Sequence, residues 1–133
     1  MMEKLFLSFD LMSKSNNVLI IGINPDLVDY SSLPDVDASK ISVALDLCVK
    51  ELGTLGYNAE FCPIDLGETA ESVVIAWLSA KKYDCIAIGA GVKISSDLLF
   101  ESLVNWVHRY APDSSICFNT NPSDTIQAVQ RWI

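Results

Sequence analysis

The chain has 133 residues, half of them hydrophobic, with 9 basic and 17 acidic side chains and a formal net charge of −8. That length describes one domain, and the apolar half excludes a disordered chain. The longest apolar runs, such as residues 18–23, fall far short of the roughly 18–20 residues that cross a bilayer, so no membrane contact is expected. An acid excess at pI ≈ 4.4 repels phosphate backbones, and Lys81-Lys82 is the only adjacent basic pair; nucleic acid is not expected as a partner.

Residues 1–17 carry Glu3 ahead of Lys4, a short apolar stretch and no small-residue cleavage site. They read as an N-terminal arm rather than a signal peptide, leaving a single domain at 18–133. Residues 18–23 form a branched apolar run that Asn24-Pro25 stops, the pattern of a strand buried on both faces. A polar stretch at 24–37 follows, with Pro25, Pro34 and Ser31-Ser32, long enough to be a functional loop. Ala38, Ile41, Leu45, Cys48 and Leu52 then recur at helical spacing, with Asp37 as N-cap and Gly53 as the expected stop.

Residues 57–64 alternate Ala59, Phe61 and Pro63 with Asn58, Glu60 and Cys62, as in a half-exposed edge strand closed by proline. A helix is expected at 69–80, with Ala70, Val73, Val74, Trp77 and Leu78 as its stripe, and a third strand at 85–89. Gly89-Ala-Gly-Val-Lys93 reads as a turn leading through Ser95-Ser96-Asp97 into a helix faced by Leu99, Phe100, Leu103, Val107 and Tyr110, which Pro112 ends. Residues 115–119 form the fourth strand, and Asn121-Pro-Ser-Asp124 opens the last helix with a cap, an N1 proline and an acidic third position.

Strand and helix alternate four times. The expected fold is therefore α/β: a three-layer sandwich around a four-stranded parallel sheet in the flavodoxin-like order 2-1-3-4. Ligands of such sheets bind beyond the strand C-termini at the switch point. Asn24 and Asp26 after strand one, Gly89, Gly91 and Lys93 after strand three, and Asn119 and Thr120 after strand four are the candidate ligand-binding residues. Gly89 and Gly91 before a helix suit an anion, because glycines let backbone N–H groups approach and a helix start adds positive partial charge. The same glycines also suit a tight strand-to-helix turn, and the asparagines suit local turn capping. Both readings stay open at this level.

No catalytic residue is assigned. Asp26, Asp35 and Asp37 of the long loop would serve a hydrolase or transferase as acid or base opposite Asn24 and Asn119, provided one is desolvated and its pKa raised. His108, beside Arg109, is explained by a helix C-terminus. Cys48, Cys62, Cys85 and Cys117 sit singly in apolar segments, so they read as reduced core thiols of a cytoplasmic protein, and Cys62 and Cys117 are expected to have raised pKa values. With one histidine and no paired cysteines, neither a metal nor a cofactor is expected. Trp106, off its helix stripe, and Trp132, at the apolar C-terminus, suggest a homodimer surface.

The layout looks like receiver and flavodoxin-like domains. A receiver's acidic pair and phosphate-accepting aspartate are replaced here by Gly22-Ile-Asn24 and Gly89-Ala-Gly91, and the Ser/Thr-rich loop of flavodoxins is missing after strand one. The strings Asp65-Leu-Gly-Glu-Thr69, Tyr83-Asp-Cys-Ile-Ala-Ile-Gly-Ala-Gly-Val92, Ile116-Cys-Phe-Asn119 and Ala128-Val-Gln-Arg-Trp132 resemble a small family of uncharacterised single-domain flavodoxin-like, receiver-like α/β proteins. That resemblance covers nearly the whole chain after the arm and implies no activity or cofactor. The expectation is a non-catalytic domain that binds a small polar or anionic ligand, or a protein partner, at the C-terminal edge of its sheet.

Overall fold

The computed structural model describes residues 16–133, so the expected arm lies outside the described residues apart from Asn16 and Asn17. Along the chain run β1 (Asn17–Ile23), a 3₁₀ turn (Pro25–Leu27), α1 (Ala38–Thr54), β2 (Asn58–Ile64), α2 (Ala70–Ala80) and β3 (Cys85–Ile88). Then come α3 (Ala90–Ser95), α4 (Asp97–Tyr110), β4 (Ser115–Phe118), a second 3₁₀ turn (Pro122–Asp124) and α5 (Thr125–Gln130).

All strand pairs are parallel and the order is β2-β1-β3-β4. Alternate residues of the central strands feed two cores. Leu19, Ile21, Ile86 and Ile88 pack under α2, α3 and α4 with Val74, Leu78, Val92, Leu103 and Val107. Val18, Ile20, Cys85 and Ala87 pack under α1 and α5 with Leu45, Cys48, Leu52, Ala128 and Val129. Burial on both faces is why these strands read as unbroken apolar runs instead of alternating ones.

Three local expectations need correction. The end of α1 is set by Gly56, not Gly53: Gly56 has φ +94, Tyr57 N–H bonds to the Leu52 carbonyl at 3.0 Å and Gly56 N–H to the Gly53 carbonyl at 3.1 Å. This is a Schellman stop, which needs a left-handed residue one position past the cap. In β2 the buried residues are Cys62 and Ile64, while Pro63 is exposed inside the strand, tolerated because β2 is an edge. The stretch after β3 is not a loop: Ala90–Ser95 forms a helix of its own with Val92 buried, and it breaks at Ser96, whose side chain caps α4 by accepting the Leu99 N–H.

Candidate functional site

The C-terminal edge of the sheet collects the ends of all four strands, and several polar groups there bond within the chain. Asn24 continues the sheet by donating its N–H to the Ile64 carbonyl at 2.9 Å, and its Oδ1 accepts the Asp26 N–H at 3.0 Å. The side chain thus caps the 3₁₀ turn. Tyr30 closes the turn from outside, donating its hydroxyl to the Pro25 carbonyl at 2.6 Å. Burial, followed by the negative charge of Asp26 and Asp37, pushes the Tyr30 phenol up.

Asn119 is buried at the end of β4. Its Oδ1 accepts the Ala90 N–H at 2.8 Å and its Nδ2 donates to Thr125 Oγ1 at 2.9 Å; that hydroxyl in turn donates to the Pro122 carbonyl. One amide therefore joins the start of α3 to the start of α5. Asn24 thus caps a backbone N–H, and Asn119 bonds one backbone N–H and one side-chain hydroxyl, contacts of the kind the turn-capping alternative expects.

Gly89 donates its N–H to the Ile21 carbonyl at 2.8 Å, extending β3 by one bond, and has φ −70. A Cβ on Gly89 would stand at ordinary contact distance from Ile21 O and Gly22 Cα, and one on Gly91 would meet nothing within 4 Å. Neither glycine is imposed by backbone conformation. Lys93 lies in the last turn of α3, exposed, with its ammonium 5.7 Å from the centre of the Phe100 ring. Phe100 also meets Phe118 at the end of β4, ring centres 5.5 Å apart. The turn-forming expectation for this segment gives way to a short helix that carries Gly91 and Lys93.

Several N–H groups at or ahead of the helix starts already meet the chain's own acceptors. Asp37 Oδ1 takes the Lys40 N–H at 2.9 Å at the head of α1, and the Lys40 ammonium reaches the Asp35 carbonyl. Before α2, Asp65 accepts the Gly67 N–H at 3.0 Å and, on Oδ2, the Thr69 N–H at 3.0 Å and the Thr69 hydroxyl at 2.6 Å. Before α5, Asp124 accepts the Thr120 N–H at 2.9 Å and the Thr120 hydroxyl, and it completes a capping box with Asn121. Thr69 holds the Asp65 carboxyl below the usual carboxylate range, and Thr120 does the same for Asp124; Asp29 is lowered by its bonds to Ser31. In all three the hydrogen bonds favour the ionised carboxylate over its protonated form.

Neither Asp65 nor Asp124 is among the residues expected at the site, yet each clasps a threonine four residues away, Asp65–Thr69 and Thr120–Asp124, one at each flank of the edge. The Asp-x-x-x-Thr and Thr-x-x-x-Asp spacings were the available signal.

Elsewhere, His108 is exposed in the last turn of α4. Burial pushes the Cys62 thiol up to about 12, as expected. Cys85 and Cys117 lie with sulfurs 3.5 Å apart, and their hydrogen bond pushes Cys85 up and draws Cys117 down, against the raised value expected for Cys117. Among the described residues no group of three His, Cys, Asp or Glu could hold a metal ion, and no helix is long and apolar enough to cross a membrane. A groove of about 230 Å³ between α1 and the start of α5, lined by Ala44, Leu47, Cys48, Glu51, Pro122, Ser123 and Ile126, includes none of the expected ligand residues. Trp106 is half-buried against the α2–α4 core, whereas Trp132, 60% exposed, follows α5 in the opposite layer.

No family model, curated protein or solved structure matches this chain.

Proposed function

We propose that this is a non-catalytic, flavodoxin-like domain that engages a protein partner through the C-terminal edge of its sheet. The observation that carries the reading is the internal use of the polar groups there: Asn24 on Asp26, Asn119 on Ala90 and Thr125, and the Asp65 and Asp124 carboxylates on Thr69 and Thr120. An incoming anion would have to displace a carboxylate at Thr69 or Thr120, or an asparagine oxygen at Asp26 or Ala90, against the local charge. A protein partner needs only the side chains that the edge leaves exposed.

A thermal-shift panel of nucleotides, phosphosugars, flavins and carboxylates tests this. A one-site ligand at a hundredfold excess over its Kd stabilises the native state by roughly 2.7 kcal/mol. The expected result is no shift across the panel. An anion that shifts the wild type but not Gly91→Val would restore the small-ligand alternative.

A further inference from the structure

Ile94 and Leu98 are the most exposed large hydrophobic side chains among the described residues, at 77% and 72%. They flank the elbow at Ser96 where α3 passes into α4. The topology brings two more to the same edge: Leu27 in the turn after β1, 45% exposed, and Leu66 after β2, 54% exposed. Helices α2 and α4 pack together over one face of the sheet, so Leu66 ahead of α2 and Leu98 at the head of α4 stand at the same end of one layer. Single exposed leucines are ordinary, whereas several gathered at one end of a layer mark an interaction surface.

The charge at this edge selects the occupant. Asp26, Asp29, Asp65, Glu68 and Asp97 are adjacent in sequence to those apolar residues or within two positions of them. Three cations lie near the edge, Lys40 on the Asp35 carbonyl, Lys93 over the Phe100 ring and Arg131 on the Phe118 carbonyl, and the five carboxylates outnumber them. We propose that this rim docks a basic amphipathic segment of a partner protein, with apolar side chains against Ile94 and Leu98 and lysines or arginines on the surrounding carboxylates. An anionic bilayer, a nucleic acid or a second copy carrying its own net charge of −8 would meet like charge there. This inference rests on the interaction reading above and supplies its partner chemistry.

The test uses the full chain and three fluorescent peptides of about fourteen residues that share one amphipathic leucine pattern, with lysine, serine or glutamate at every polar position. Anisotropy is read at low and physiological salt, alongside sedimentation with phosphatidylserine vesicles. The lysine peptide is expected to bind, to weaken with salt, and to lose at least tenfold in affinity to Ile94→Ser/Leu98→Ser, a pair of exposed positions whose change leaves the melting curve in place. Val43→Ser/Leu47→Ser on α1 is expected to bind as the wild type does, and Glu68→Gln/Asp97→Asn to flatten the salt dependence. Equal binding of the serine peptide, also lost in Ile94→Ser/Leu98→Ser, would overturn the basic partner and leave the interaction edge standing. Lysine-peptide binding that ignores Ile94→Ser/Leu98→Ser would be diffuse attraction to an acidic protein and would overturn the proposal, as would binding of none of the peptides. Vesicle binding lost in that variant would replace the protein partner with a lipid surface. A positive small-anion panel would remove the interaction reading itself.

Discussion

The Asn119 side chain accepts the Ala90 N–H at 2.8 Å and donates to Thr125 Oγ1 at 2.9 Å, so one buried amide at the end of β4 fixes where two helices begin. Asn119→Ala takes the acceptor from the half-buried Ala90 N–H and one of two bonds from the Thr125 hydroxyl, a loss worth roughly 1–3 kcal/mol. Urea denaturation of Asn119→Ala, Thr125→Val and the double variant is expected to be non-additive, because both single changes break the same bond. Additive effects would show that the Asn119–Thr125 bond contributes little and leave the Ala90 N–H as the partner that matters.

The two carboxylate–threonine clasps contribute to stability on the acid side. Asp65 and Asp124 are held below the ordinary carboxyl value. The sign follows from linkage: a depressed folded-state pKa contributes stability that is present above the unfolded value of about 3.9 and is lost as the pH falls through the folded value. Asp65→Asn and Asp124→Asn are therefore expected to lower the melting temperature near neutral pH and to converge on the wild type in strong acid. Thr69→Val and Thr120→Val should raise the carboxyl titration of the adjoining aspartate, read by NMR.

At alkaline pH the thiols and phenols act in the opposite sense. Burial raises Cys62 and Tyr83 to about 12, so the unfolded chain releases those protons first. That stability is complete below the unfolded values of roughly 8.5 and 10 and is lost as the pH rises through the folded ones. Chemical denaturation at intervals through that window should show a falling midpoint, less steep in Cys62→Val. The same burial predicts that a soluble disulfide reagent titrates Cys48, Cys62 and Cys85 only after unfolding.

Glycine substitutions separate conformational need from mere presence. Gly56, at φ +94, ends α1 in the left-handed region, and Gly56→Ala is expected to cost about 1–2 kcal/mol. Gly53 and Gly91 lie inside helices with open space where a Cβ would stand. Gly53→Ala and Gly91→Ala are each expected to stabilise by about 0.5–1 kcal/mol. A destabilising Gly91→Ala would point to a contact absent from this structure.

What residue order alone determined is the wound α/β plan. Unbroken apolar runs at 18–23 and 85–88, helical stripes through Leu45-Cys48-Leu52 and Leu99-Leu103-Val107, and the caps at Asp37, Ser96 and Asn121 are local signals, and the edge character of β2 set the strand order. What tertiary structure decided is which partners the polar residues at the strand ends meet. The bond from Asn24 to Asp26 is two residues long and local, whereas the bond from Asn119 to Ala90 spans 29 positions and exists only because β3 and β4 lie side by side. The same holds for Ile94 and Leu98: helical spacing around Gly91 is too short to announce α3, so only the assembled layer reveals that these side chains face solvent at the acidic edge.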